Sequence, residues 1–145
     1  MPADDQAELD ARLMDALGQS AMVVAGVLTS IAAEHDLSLT QARVLGILRD
    51  RRLRMADLAR YLGLERSTLS GLIDRAELRG LVQRERGRED GRVVEVSLTD
   101  EGRTAARNAE ADIARELAPL TSHLTAQERR DLTLLLERML AAPPA

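Results

Sequence analysis

At 145 residues and 15.9 kDa the chain has room for one globular core, and 37 Leu, Ile and Val residues are enough to fill it. All 20 basic residues are Arg, against 24 Asp and Glu, and the resulting net charge of -4 argues, taken alone, against a nucleic-acid partner. The absence of Cys excludes disulfides, thiolate metal sites and thiol nucleophiles, while a single aromatic residue, Tyr61, leaves an aliphatic interior of Leu and Ala that favours helices.

The chain starts with acids (Asp4, Asp5, Glu8, Asp10) rather than the basic segment of a secretion signal, and no continuous apolar run nears the ~18 residues of a membrane span. A cytoplasmic protein with no membrane partner is the expectation. From about residue 5 to 35, Leu9, Leu13, Leu17, Val24, Leu28 and Ile31 recur at helical spacing and predict one long amphipathic helix, broken by Asp36 and Leu37. Ser38 and Gln41 form a capping box that opens a second helix carrying Val44, Leu45 and Leu48. Polar residues 50–54 read as a connection. A short helix follows from Met55 to Leu62 with Met55, Leu58, Ala59 and Leu62 inward, and Gly63 ends it.

The next helix runs from about Arg66 to Arg79. Its buried stripe is Leu69, Leu72, Ile73 and Ala76, and its outer face carries Ser67, Ser70, Gly71, Asp74, Arg75 and Leu78, with Gly80 closing it. Two short helices joined by a Gly turn, the second with a small polar outer face, describe a helix-turn-helix. The period then changes to two: Val82, Arg84 and Arg86 before Gly87, and Val94, Val96 and Leu98 after Gly91, predict a hairpin with a five-residue loop, 87–91, as the only strand signal. Thr99 caps another helix, lined by Ala105, Ala109, Ile113 and Leu117 until Pro119 bends or ends it. A second capping box, Thr125 and Glu128, opens the last helix, where Leu132, Leu135, Leu136 and Met139 share a face and Pro143 and Pro144 stop it. The fold class is mainly α with one small β-hairpin (α+β).

The charge is unevenly spread. Residues 1–42 carry net -6, residues 43–92 carry 13 Arg against 8 acids for net +5, and residues 93–145 carry -3. The acidic total conceals a basic middle on the helix-turn-helix and hairpin, which is the footprint of phosphate contact.

From about Ser38 to Met139, and most specifically in the segments Leu58-Ala59-Arg60-Tyr61-Leu62-Gly63-Leu64, Arg66-Ser67-Thr68, Leu72-Ile73-Asp74-Arg75, Gly80-Leu81-Val82 and Asp90-Gly91-Arg92 leading to Leu98-Thr99-Asp100-Glu101-Gly102, the chain resembles the MarR family of winged-helix transcriptional regulators. The resemblance implies a winged helix-turn-helix module, 38–99, flanked by helical dimerisation regions, 1–37 and 100–145. It implies a homodimer on a pseudo-palindromic double-stranded DNA operator, repressing until a small-molecule effector releases it. The recognition helix Arg66–Arg79 would enter the major groove and Arg92 of the wing the minor groove. The DNA-binding set is Arg54, Arg66, Ser67, Thr68, Ser70, Gly71, Arg75, Arg88, Asp90 and Arg92, with Asp90 pairing to Arg92 and holding it extended. Two departures stand out: Gly71 replaces a larger polar or basic side chain common in relatives, and Arg54 occupies a helix-capping position where Ser, Thr or Asp is usual.

The effector site is not legible, with Arg43 a weak candidate for pairing with an anion. A rival reading makes the winged module a protein-binding surface, for which the outward Leu78 speaks. Enzymatic activity has little support: His35 and His123 are far apart in the chain, and consecutive Glu34, His35 and Asp36 point in different directions on a helix, so no metal site and no cofactor is called for.

Overall fold

The computed structural model describes residues 2–141, which form α1 (Ala3–Glu34), α2 (Leu39–Leu48), β1 (Leu53–Arg54), α3 (Met55–Leu62), α4 (Arg66–Leu78), β2 (Val82–Arg86), β3 (Val94–Leu98), α5 (Asp100–Thr121) and α6 (Ala126–Ala141). Pro143 and Pro144 lie outside the described residues. The chain forms two units, the first ending at Ile113 and the second beginning at Ala114.

Three helices stop by one device. At the ends of α1, α3 and α4 a residue takes the left-handed conformation (Asp36 φ 56°, Gly63 φ 65°, Gly80 φ 74°) and a Leu follows. The amides of Leu37, Leu64 and Leu81 turn back to the carbonyls of Ala32, Ala59 and Ala76 at 2.8, 3.0 and 3.0 Å. This satisfies carbonyls that a helix end leaves unpaired, and it inserts an apolar side chain beneath the last turn. Glycine suits that backbone because it has no Cβ, and Asp tolerates it. The Ser38 capping box forms in both directions, with Gln41 N–H donating to Ser38 Oγ at 3.1 Å and Ser38 N–H to Gln41 Oε1 at 2.9 Å.

The core of the first unit gathers Val44, Leu45 and Leu48 of α2, Leu58 and Leu62 of α3, Leu69 and Ile73 of α4, and Val82, Val96 and Leu98 of the sheet, with Ala106 of α5 against them. All four residues of the α4 stripe are buried. In α5 the predicted stripe is only half-buried, and Gly102 and Ala106 are the buried positions. A Cβ on Gly102 would stand 1.9 Å from the Leu81 carbonyl oxygen. Thr99 locks that approach: its hydroxyl donates to Gly80 O and accepts from Gly102 N–H at 3.0 Å, and its own N–H donates to Leu81 O at 3.1 Å. The Leu-Thr-x-x-Gly pattern is thus a joint between the base of the hairpin and α5.

Four expectations need correction. The sheet has three strands in the order β1-β3-β2, because Leu53 and Arg54 of the supposed connection pair with Val96 and Glu95. Two residues are too few to show a period of two. The hairpin loop spans residues 87–93, since the ladder ends at the pair Arg86 and Val94. Pro119 lies inside α5, which continues to Thr121. In the last turn the missing proline N–H forfeits only one helical bond. Finally, residues 16–33 of α1 carry no charged side chain, and α1 is long and apolar enough by composition to cross a bilayer. Scattered Gln, Ser and Thr interrupt the apolar run without lowering its average enough to fail that measure.

Candidate nucleic-acid interface

Burial of one face of α4 aims the other outward. Arg66, Ser67, Thr68, Asp74, Arg75 and Leu78 are exposed, and Ser70 and Gly71 are half-buried. Leu78 is 88% exposed, the most solvated large apolar residue among those described. The Arg75 guanidinium folds back over Gly71, with Nη1 3.5 Å from where a Cβ would stand. The guanidinium thus places a positive charge at the centre of the outer face, at a distance from position 71 that ordinary van der Waals contact allows.

The wing loop is tightly folded at its base. Gly87 N–H donates to Val93 O at 2.7 Å and Val93 N–H to Asp90 O at 3.1 Å, and Gly87 has no room for a Cβ because Asp90 O lies 2.6 Å away from it. Asp90 Oδ1 accepts from the Arg92 backbone N–H at 3.0 Å and from Arg92 Nε at 3.3 Å. These bonds, the backbone one first, hold the Asp90 carboxyl below the usual aspartate range, and the charge of Arg54 adds to the effect. The Arg92 side chain is nonetheless 92% exposed. The expected Asp90–Arg92 pairing is present, and it presents a tethered guanidinium at the tip of a projecting loop. Arg88 is exposed in the same loop. Arg54 is the N-cap of α3 without a side-chain capping bond, so its guanidinium is not used to close the helix.

Behind this surface lies a set of arginines whose partners periodicity does not reveal. Arg84 Nη2 meets Asp74 Oδ1 at 2.7 Å and Arg84 Nη1 meets Glu77 Oε1 at 3.1 Å, joining β2 to α4. Arg52 meets Glu85 at 2.8 Å and Glu95 at 2.9 Å, joining the segment before β1 to both hairpin strands. Arg79 donates to the carbonyls of Asp36 and His35 at 2.6 and 3.0 Å, fixing the end of α4 to the end of α1. Their partners lie 7 to 44 residues away in sequence, and no local signal marks them. Arg43 donates to the Tyr61 carbonyl at 3.3 Å rather than to a carboxylate. His35 Nε2 lies 3.2 Å from Asp112 Oδ2 and beside a cleft of about 440 Å³ lined also by Asp100, Glu101, Thr104, Ala105 and Asn108.

A family model described as MarR family matches residues 35–93, from the end of α1 through the wing loop. Over 112 residues the chain is 32% identical to the homoprotocatechuate degradative operon repressor of Escherichia coli, covering 77% of this chain and 76% of that protein. The chain belongs to the MarR family. Another relative, the HTH-type transcriptional regulator TtmR of Methylorubrum extorquens, is 36% identical over 101 residues, 69% of this chain and 52% of TtmR, so the chain spans about half of that protein's length. Wild-type MarR of E. coli in its apo form superposes with a TM-score of 0.71 at 25% identity, covering 97% of both chains. NadR in complex with 4-hydroxyphenylacetate does so at 0.74 and 26%, covering 87% of both. The six helices and three-stranded antiparallel sheet are the MarR winged-helix architecture.

Proposed function

We propose that this chain is a sequence-specific DNA-binding transcriptional regulator, a repressor that acts as a homodimer and is released by a small-molecule effector. Residues 38–99 form its DNA-reading module, and 1–37 with 100–145 its dimerisation regions. The observation that carries the reading is Arg92: an almost fully exposed guanidinium, tethered by Asp90, beyond a sheet whose neighbouring helix turns hydroxyls and arginines outward. A guanidinium suits the narrow, electronegative minor groove, while Ser67, Thr68 and Ser70 near the α4 N-terminus, with Arg66 and Arg75, suit phosphates and base edges. Gly71 allows close backbone approach, Arg54 lies near enough to Asp90 for its charge to act on that carboxyl, and Arg88 adds an exposed positive charge to the wing loop.

Homodimerisation is supported by apolar residues that the single chain leaves exposed on α1 (Leu9, Leu13, Met14, Met22, Val23) and on α6, which buries none of its residues. The effector reading is supported by the relatives: one is named a repressor of a degradative operon, and NadR was solved with an aromatic acid. The exposed Leu78 favours a second reading, a protein-docking module, whose binding would respond little to salt.

Selection of binding sites from fragmented genomic DNA with the purified protein tests the proposal. One pseudo-palindrome is expected, with half-sites about one helical turn or a multiple apart. Arg92→Ala is expected to weaken binding to it by about 1–3 kcal/mol per subunit, and more salt to weaken it steeply. No enrichment at low salt refutes the regulator reading.

A further inference from the structure

Reading two grooves at once requires a fixed angle between the helix in one and the loop in the other. Strand β2 is gripped on both faces at consecutive residues, because successive strand side chains point to opposite sides. On one face Arg84 meets Asp74 and Glu77 and also donates to the Ser70 carbonyl at 3.4 Å, while its backbone N–H donates to Glu77 at 3.2 Å. Ser70, Asp74 and Glu77 stand four and three residues apart, one ridge along α4. On the other face Glu85 and Glu95 are direct cross-strand partners. Two carboxylates in that position repel, and Arg52, only 21% exposed, lies between them and binds both. One clamp holds β2 at its middle residue, Arg84, and the other at the Glu85–Glu95 pair, one pair short of the loop, so both act on the strands that carry the loop and leave residues 87–93 untouched.

We propose that Arg84 and Arg52 are positioning residues that set the angle of the wing to the recognition helix, so that Arg92 and the outer face of α4 engage one DNA site together. The inference rests on the DNA-binding reading above. The forked guanidinium is needed at both places: each binds two or three acceptors at fixed angles, which an ammonium does not reproduce. A wing freed from the clamp keeps all its contact residues and loses the gain from engaging both elements at once, since the second contact is then no longer presented at high effective concentration.

The test measures affinity for the selected operator by fluorescence anisotropy, with thermal melting confirming that each variant is folded. Arg92→Ala and Arg84→Ala are each expected to weaken binding roughly 5- to 150-fold per subunit, the range for loss of one groove contact. The double variant is expected to bind no more than about twofold weaker than Arg92→Ala alone, because Arg84 acts through the wing. Amide exchange at residues 87–93 is expected to quicken in Arg84→Ala and not in Arg92→Ala. Arg52→Gln is expected to weaken binding, and Arg52→Lys to recover it only in part, since an ammonium neutralises the Glu85 and Glu95 carboxylates without holding both at fixed angles. Multiplying effects in the double variant, or parent-like binding by Arg84→Ala where Arg92→Ala is impaired, overturns the proposal alone. Parent-like binding by Arg92→Ala overturns the reading of the wing on which it depends.

Discussion

Replacing Gly102 with Ala sets two physical effects of opposite sign against each other. Helix propensity favours the change, by about 1 kcal/mol for Gly to Ala in a helix interior. Packing opposes it: the new Cβ would lie 1.9 Å from Leu81 O, 2.9 Å from its carbonyl carbon and 3.3 Å from its Cα, against a preferred separation of about 3.5–4.0 Å between carbons. These are backbone atoms of the residue just before β2, so no side chain can rotate away. The start of α5 must retreat by more than about 1 Å, which stretches the three hydrogen bonds that Thr99 makes to Gly80, Leu81 and Gly102. Overpacking costs about 1–3 kcal/mol, and partial weakening of the three bonds, each worth about 0.5–1.5 kcal/mol, adds about 2 kcal/mol in all. After the propensity gain, about 2–4 kcal/mol of destabilisation remains. For a chain of this size that is a fall in Tm of roughly 5–15 °C, read by circular dichroism at fixed protein concentration because a dimer's Tm depends on it. A Tm equal to or above the parent's would refute the reading of the Leu-Thr-x-x-Gly joint as a close backbone contact.

Gly63→Ala meets no atom within 4 Å, so its cost is backbone strain alone, about 1–2 kcal/mol by chemical denaturation. Ser38→Ala removes the capping acceptor of α2 and is expected to cost about 0.5–2 kcal/mol in the same assay. Asp90 has a lowered pKa in the folded wing, so its pairing with Arg92 is fully present at neutral pH and is lost as pH falls through that lowered value. Carboxyl NMR titration is expected to place the Asp90 midpoint below that of an unfolded aspartate, and Arg92→Ala to move it upward.

The parts of the fold that were legible in the sequence are those written in neighbouring residues. The two capping boxes, the left-handed stops at Gly63 and Gly80 and the buried stripe of α4 each occupy a few consecutive turns, and each stands where the residues put it. The Asp90–Arg92 tether was legible for the same reason, as the partners are two residues apart. The features that escaped are set by distant partners. Strand β1 exists only because β3, more than forty residues later, offers Val96 and Glu95 to pair with. The clamps made by Arg52, Arg79 and Arg84 cross between elements and leave no period behind. Net charge misleads in a related way: the total hides that the acids cluster in the flanks, and within the basic middle several acids are matched to structural arginines, as Asp74, Glu77 and Glu85 are to Arg84 and Arg52.

The uncharged stretch of α1 is where lipid and protein compete as the missing neighbour. By length it could cross a bilayer, and most of it is exposed in the single chain. Its end, however, is not available to lipid: Ile31 and Ala32 are buried, Leu37 folds back onto Ala32, and Arg79 of the recognition-helix end grips the carbonyls of His35 and Asp36. Sinking residues 16–33 into hydrocarbon would bury those attachments and draw the polar cap of α2 and the end of α4 into the interface with them, at a cost of several kcal/mol for each polar group left unpaired. A second copy of the chain makes no such demand. In the proposed homodimer it would cover the apolar face of the helix where it stands, leave Gln19, Ser20, Thr29 and Ser30 to face water or a partner, and keep the α1 terminus fixed to the end of α4. On the proposed reading, the Arg79 bonds to the carbonyls of Asp36 and His35 would link the dimerisation helix directly to the orientation of the DNA-reading helix.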